Sequence, residues 1–407
     1  MIRWPIFLRQ NRKSLAPVLI AGTGAFWLRL FLKLYFVKTA MVAFRHPVMG
    51  VKALLRIQSY RRSFEGKRSI MRKFVGAGGK YYFASDSPGF PGPLFREFLR
   101  DECRRRGALT EGHGQEYIPV QTVFWGITNR CPLQCTHCYD WDNIDNRDRL
   151  GLDQLMEVLA IFRQQGIRHV QLSGGEPMAR FDELVKLVQA ASPSMECWLL
   201  TSAYGFSASR ALALKEAGLL GVNISLDHWQ QDKHNAFRQN GQSHQWAMQA
   251  IDHGRQAGLL VSLSLCVTRE MASWENLMAY ATLARDRGVH FVRMLEPREV
   301  GRFSGMEVLL DAGQVERVSR FVRQMNSGGR FRDFPAMVFF GYHQRTLGCM
   351  GAGDRYLYVD ANGDMHACPF CRGGMGNLLE TPYRDILKKV QERGCHLFAR
   401  AQPDAIH

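Results

Sequence analysis

From Val120 onward, short runs of β-branched and aromatic residues alternate with stretches whose apolar positions recur every three to four residues. The runs predict strands over Thr122 to Thr128, His169 to Ser173, Glu196 to Thr201, Val222 to Leu226, Leu260 to Val267 and His290 to Leu295. Between them the helical period covers Leu152 to Gln165, Phe181 to Ala191, Ala208 to Ala217, Gln245 to Ala257 and Trp274 to Arg287. Gly166, Gly218, Gly258 and Gly288 stand where a helix C-terminus favours a residue free to adopt positive φ. Six strands alternating with helices imply a parallel α/β sheet with right-handed crossovers, here a partial (β/α)6 barrel. In such architectures the functional loops follow the carboxyl ends of the strands.

The first hundred residues follow a different pattern. Ser14 to Leu28 carries no charge, and then Arg29, Lys33 and Lys38 punctuate a strongly apolar stretch ending at Phe44. The uncharged run falls short of the ~20 residues a span needs, and Pro17, Gly22 and Gly24 weaken a helix, so a simple transmembrane helix is not expected. A cleaved signal peptide fits poorly, because basic residues follow the apolar run closely. Arg29 and Lys33 share a helical face that Lys38 leaves, so one clean amphipathic helix is not expected throughout. Interfacial or partly re-entrant insertion ranks ahead of a helix packed on the body.

Charge sharpens this picture. Residues 1–106 hold 22 Lys or Arg against 5 Asp or Glu, whereas the remainder holds 31 against 32. The whole chain, at 407 residues and +16, therefore consists of a basic N-terminal region and a near-neutral body. An anionic phospholipid surface is the expected partner; nucleic acid ranks well below it, since the basic stretch 51–73 carries no recognised nucleic-acid module. Pro88 to Pro93 marks a rigid turn into a helix over Leu94 to Arg106. The expected division is 1–106 as the basic, apolar helical region, 118–300 as the barrel, and 301–407 as a small α+β extension.

Ten cysteines carry the chemistry: Cys103, Cys131, Cys135, Cys138, Cys197, Cys266, Cys349, Cys368, Cys371 and Cys395. Cys131, Cys135 and Cys138 fall within eight residues, too close for relaxed disulfides, so metal ligation is the better reading. Zinc usually takes four ligands in two pairs, whereas this group offers three thiolates beside His137. An iron-sulfur cube held by three thiolates leaves one iron open to a further ligand. Thr128-Asn129-Arg130 precedes the group, Tyr139 follows it, and Ser173-Gly174-Gly175-Glu176-Pro177 lies 35 residues after Cys138.

This combination resembles the radical S-adenosylmethionine (SAM) superfamily, over about Val120 to Ala399. The resemblance implies a four-iron cluster on Cys131, Cys135 and Cys138, with His137 against adenine and Gly174, Gly175 and Glu176 holding the amino group of S-adenosylmethionine. Ser225-Leu226-Asp227 with the trailing His234 and Phe237-Arg238 looks like the family's ribose and carboxylate contacts, through Ser225 and Arg238; Ser202 is a further cofactor candidate. It also implies reductive cleavage of S-adenosylmethionine to methionine and a 5′-deoxyadenosyl radical that abstracts hydrogen from an unactivated carbon. An electron donor such as flavodoxin or ferredoxin would be a partner.

A second group comprises Cys349, Cys368, Cys371 and Cys395, with Tyr356 to Met365 reading as a hairpin around Asp360-Ala361-Asn362-Gly363. It resembles the SPASM or Twitch extension of radical enzymes and implies one auxiliary four-iron cluster. Cys395 is the expected fourth ligand, with His396, His366 or an open iron as alternatives, and a zinc ribbon as the competing reading. Cys197 and Cys266, in expected strands, read as small core residues, and Cys103 as a surface thiol. This cysteine usage points to a reducing cytoplasm, with the chain peripheral on the inner face of a membrane. The substrate expected is a peptide or a membrane-delivered lipid or small molecule; the alternative function is a scaffold that keeps the barrel and clusters without catalysis. No general acid or base is assigned, since Asp227, His228, His234 and Glu296 are more often structural hydrogen-bonding groups.

Overall fold

The computed structural model describes residues 16–44, 72–107, 117–144, 147–327, 329–371 and 373–395, with positions 48, 51 and 55. Most of the basic stretch 51–73, and His396 as a ligand alternative, lie outside the described residues. The N-terminal region opens with β1 (Val18–Ile20), α1 (Gly22–Phe44), β2 (Phe74–Ala77), β3 (Lys80–Tyr82) and α2 (Pro93–Gly107). The three strands form an antiparallel sheet in the order β1-β2-β3. A single helix runs through Arg29, Lys33 and Lys38, and, as charge placement implies, it has no one clean apolar face. Tertiary packing explains the helix. Ala25, Leu28, Leu32 and Thr39 form a buried line, and the apolar part of it packs with Phe74, Phe90, Phe95 and Leu99, so helicity does not depend on one clean amphipathic face.

The six strands expected from the sequence are present as β4 (Thr122–Gly126), β5 (His169–Ser173), β6 (Glu196–Thr201), β7 (Gly221–Ser225), β8 (Leu260–Cys266) and β9 (Phe291–Leu295). Neighbours pair in parallel, in sequence order. The crossovers run through α3 (Leu152–Gln164), α4 (Phe181–Ala191), α5 (Ala208–Glu216), α6 (Gln231–Arg238), α7 (Ser243–Gln256) and α8 (Trp274–Asp286). Gly166, Gly218, Gly258 and Gly288 all take positive φ, between 65° and 105°, which fixes the chain reversal before the next strand. The alternation in the strands sends Cys197, Leu199, Val222 and Val261 outward to the helices, while Gln171, Trp198, Asn223, Ser262 and Arg293 occupy the other face.

The C-terminal residues add α9 (Ala312–Ser327), β10 (Ala336–Phe339), α10 (Phe340–Leu347), β11 (Tyr356–Val359), β12 (Met365–His366) and α11 (Tyr383–Arg393). The hairpin appears as β11 paired antiparallel with β12. Both edges of the parallel sheet are extended from this segment: β10 pairs with β9, and β11 pairs with β4. The resulting nine-stranded sheet runs β10-β9-β8-β7-β6-β5-β4-β11-β12, and no pairing closes it into a ring among the described residues.

The small N-terminal sheet sits at the amino ends of the parallel strands. Val75 and Tyr82 pack on Trp198, Leu260, Phe291 and Ala336. Polar contacts tie the N-terminal region to the body: Lys80 to Glu196 at 3.1 Å, Asp101 of α2 to Arg168 at 2.5 Å, and Lys73 to the carbonyl of Phe334 at 2.7 Å. The amino end of the sheet is thereby floored, and the carboxyl ends are left to the loops that carry the cysteines.

Candidate active site

Cys131, Cys135 and Cys138 lie on the loop after β4, at the carboxyl end of the sheet. The loop is held from several sides. Thr136 donates its backbone N–H to the carbonyl of Phe237 at 3.0 Å, and Arg302 donates its backbone N–H to the carbonyl of Cys138, also at 3.0 Å. Gly301, at φ 61°, is needed for that second approach, because a Cβ there would come within 2.3 Å of the Cys138 carbonyl. Arg180, 4% exposed, reaches the carbonyls of Ile127 and Leu150, and Asp148 binds Thr128 and Arg130 at the loop's base.

The Gly-Gly-Glu segment after β5 lies directly against this loop. Gly175 N–H donates to the Thr128 carbonyl at 2.8 Å, and Glu176 N–H to the Arg130 carbonyl at 2.7 Å. A Cβ on Gly174 would meet the Thr128 oxygen at 2.5 Å, and one on Gly175 the Arg130 oxygen at 2.4 Å. The two glycines thus allow backbone to pack on backbone. The Glu176 carboxylate is fully buried; it accepts from Met178 N–H at 3.0 Å, the Thr201 hydroxyl at 2.8 Å, and both the N–H and hydroxyl of Ser202. Burial raises its pKa and these bonds act in the opposite direction. Ser202 therefore orients Glu176 directly.

Arg238, at the end of α6, forks onto Asp227 at 2.7 and 2.6 Å, and its Nη1 lies 3.6 Å from Cys135 Sγ. Asp227 also accepts from Cys266 N–H at 3.1 Å. Burial opposes ionisation of Asp227, but the Arg238 charge and the other bonds hold its carboxyl below the ordinary value. His137 stacks on Phe237 with centroids 4.6 Å apart, and burial together with Arg238 lowers its pKa to about 4, leaving a neutral ring. Ser225, half-buried at the end of β7, has no side-chain partner among the described residues. His234 accepts from Asp227 N–H, His228 from Gln230 N–H, and Glu296 is forked by Arg345, so each serves as a structural hydrogen-bonding group.

Cys349, Cys368 and Cys371 are buried and Cys395 is half-buried. Their thiols adjoin in a chain: Cys349 contacts Cys395, Cys395 contacts Cys371, and Cys371 contacts Cys368. His366 instead meets Asp360 at 3.1 Å. Among the described residues, no group of three or more His, Cys, Asp or Glu side chains is placed to hold a single metal ion. A cavity of about 300 Å³ is lined by Tyr139, next in sequence to Cys138, and by Ser173, and it reaches Cys368 of the second group and Phe370.

Residues 125–295 match the family model of the radical SAM superfamily. Over these residues the chain is similar to the radical SAM superfamily. It is 34% identical over 182 residues to a GTP 3′,8-cyclase of Moorella thermoacetica, covering 43% of this chain and 55% of the relative. It is 22% identical over 316 residues to an AdoMet-dependent heme synthase of Nitratidesulfovibrio vulgaris, covering 70% and 84%. The chain thus spans little more than half the length of that cyclase relative. Its fold is similar to that of Streptococcus suis SuiB bound to precursor peptide SuiA, with TM-score 0.56, 15% identity, and coverage of 72% and 70%. It is also similar to anSMEcpe with bound AdoMet, with TM-score 0.52, 15% identity, and coverage of 69% and 83%.

The similarity of residues 125–295 to the radical SAM superfamily implies a four-iron cluster and S-adenosylmethionine, and the residues fit both. Cys131, Cys135 and Cys138 lie close enough to feel one another's charge, and burial pushes the thiols of Cys131 and Cys138 up to about 12 and about 11. Thiolates so desolvated call for a cationic partner such as iron. The sequence had named Asp227 and Arg238 separately. It had not revealed their pairing beside Cys135, because α6, which folds one back onto the other, gave no distinct pattern. The Asp148–Arg180 support of the cysteine loop was also missed; no local motif marks it.

Proposed function

We propose that this protein is a radical SAM enzyme that cleaves S-adenosylmethionine reductively and uses the resulting 5′-deoxyadenosyl radical to take hydrogen from a substrate in the barrel cavity. One observation carries the reading: three cysteines, the Gly-Gly-Glu loop and the Asp227–Arg238 pair converge on one end of the sheet, beside a cavity that reaches Cys368. When bound, the cluster supplies the electron that cleaves the sulfonium. The chain's own contributions are positional. Cys131, Cys135 and Cys138 would hold iron, and Glu176, fixed by Thr201 and Ser202, would face the cosubstrate's amino group. Arg238 would carry positive charge beside the cluster, and Ser225 would offer a free hydroxyl to ribose. The floor built by Val75 and Tyr82 excludes water from below.

The adjoining thiols of Cys349, Cys368, Cys371 and Cys395 support one auxiliary four-iron cluster in a SPASM- or Twitch-like extension. Flavodoxin or ferredoxin suits the electron demand. The peptide bound by SuiB supports a peptide substrate, while the apolar outer face of α1 in a basic region supports a membrane-delivered one and a peripheral position on the inner face of a membrane. No described helix is long and apolar enough to cross a membrane. The test is 5′-deoxyadenosine formation by anaerobically reconstituted protein under dithionite. Wild type produces it and Cys135→Ala does not; equal output from both would leave the scaffold reading standing instead.

A further inference from the structure

Arg293, the third residue of β9, projects into the barrel and is 4% exposed. Its Nη1 donates to Gln171 Oε1 at 2.7 Å, and its guanidinium lies 5.8 Å from the Phe124 ring centroid and 5.2 Å from that of Phe340. These contacts fix its plane without neutralising it. No carboxylate among the described residues lies within 4.0 Å of it, and its Nε has no hydrogen-bond partner. The other cations lining the same cavity are engaged: Arg355 with Glu102 at 2.6 Å, and Arg298 with Gln344 at 2.7 Å. Asp86 lines the cavity and favours the charged form of Arg293, but only from a distance, while burial acts against that form.

A buried charge with no carboxylate in contact among the described residues is costly, and folded chains rarely retain one without a use for it. The cavity wall is largely apolar, but polar residues share it with Arg293. Asn223, 3% exposed, lines the cavity and leaves its Oδ1 unpartnered. Ser264, directly paired in register with Arg293, lines it too. We propose that Arg293 anchors an anionic group of the substrate, a carboxylate or a phosphate, deep in the barrel, with Asn223 and Ser264 completing the polar part of the wall. The planar fork of an arginine suits either anion. An anion held there leaves the rest of the molecule along the cavity toward Tyr139, Ser173 and Cys368. Arg293 is a substrate-positioning residue in this scheme. Gln171 and the two rings hold it in place.

The inference rests on reading the cavity as the substrate chamber of the proposed enzyme, yet its test needs neither cosubstrate nor reductant. Full-length protein is purified anaerobically and titrated with inorganic phosphate, pyrophosphate or succinate against potassium chloride of equal ionic strength, with thermal midpoint and calorimetric binding as readouts. Wild type binds at least one of these anions and is stabilised beyond the chloride control; the succinate and phosphate arms tell carboxylate from phosphate. Arg293→Met weakens that binding on the order of tenfold or more, and Arg293→Lys restores part of it. Equal affinity in wild type and Arg293→Met, or no binding by wild type, would overturn the proposal. Without anion, Arg293→Met is also expected to match or exceed the wild-type thermal midpoint, because it removes a buried charge that no carboxylate contacts among the described residues; a variant that unfolds would make Arg293 a structural residue and defeat the inference. Failure of the wild type to form 5′-deoxyadenosine, by contrast, would count against the parent reading alone.

Discussion

Single residues record two kinds of constraint. Cys131, Cys135, Cys138 and the pair Gly174-Gly175 were legible because chemistry and close backbone approach dictate both residue type and spacing: a Cβ on Gly175 would sit 2.4 Å from the Arg130 carbonyl. Arg293 was not legible, since on a strand one inward position looks like any other. Lys73 belongs to the same hidden class. It is 4% exposed, donates to the carbonyls of Phe334 and Pro335, and burial lowers its pKa from 10.5 to about 7, with Asp333 acting the other way. Between those two values the folded chain binds fewer protons than the unfolded one, so this residue's contribution makes stability rise as pH increases from about 7 toward 10. Below pH 7 both states are protonated and the contribution is flat. Denaturation midpoints measured at pH 7 and pH 9 should therefore rise more in wild type than in Lys73→Met; parallel slopes would show that Lys73 does not titrate in this window.

At the scale of elements, the six central strands and five of the six helices between them were read to within a residue or two, because β-branched runs and C-terminal glycines are local signals. What escaped was built by partners distant in sequence. β11 was expected in a hairpin with β12, which it forms, but its other neighbour is β4, more than 230 residues earlier. β10 closes onto β9 for the same reason, and β1 finds β2 only after the whole of α1. Helix α1 has no one clean apolar face because it is apolar on two sides. One line packs inward, and a second line, Trp27, Leu30, Leu34, Val37 and Met41, spaced alternately by three and four, is at least 40% exposed at every position. With Lys33 and Lys38 also exposed on this helix, the outer face suits an anionic bilayer. Wild type should sediment with phosphatidylserine-containing vesicles and less with neutral ones. The triple change Leu30→Ser, Leu34→Ser, Val37→Ser should abolish this while leaving far-UV circular dichroism intact; undiminished sedimentation of the variant would remove α1 as the contact.

For the molecule as a whole, the arrangement is a parallel sheet closed below by a basic N-terminal unit and crowned by two groups of thiols, with a cavity of about 300 Å³ that reaches Cys368 of the second. Alternation of strands and helices made the central sheet readable. The floor was not, because the contact of Val75 and Tyr82 with Trp198 and Phe291 joins segments whose patterns are independent of one another. Everything functional depends on whether the first thiol group holds a cube with an iron open to the cosubstrate. Electron paramagnetic resonance on reduced, anaerobically reconstituted protein, recorded with and without S-adenosylmethionine, tests this most directly. The expected result is a four-iron signal whose shape changes on adding the cosubstrate, with the change missing in Cys135→Ala. Protein that takes up only zinc, or a four-iron signal indifferent to S-adenosylmethionine, would contradict the account.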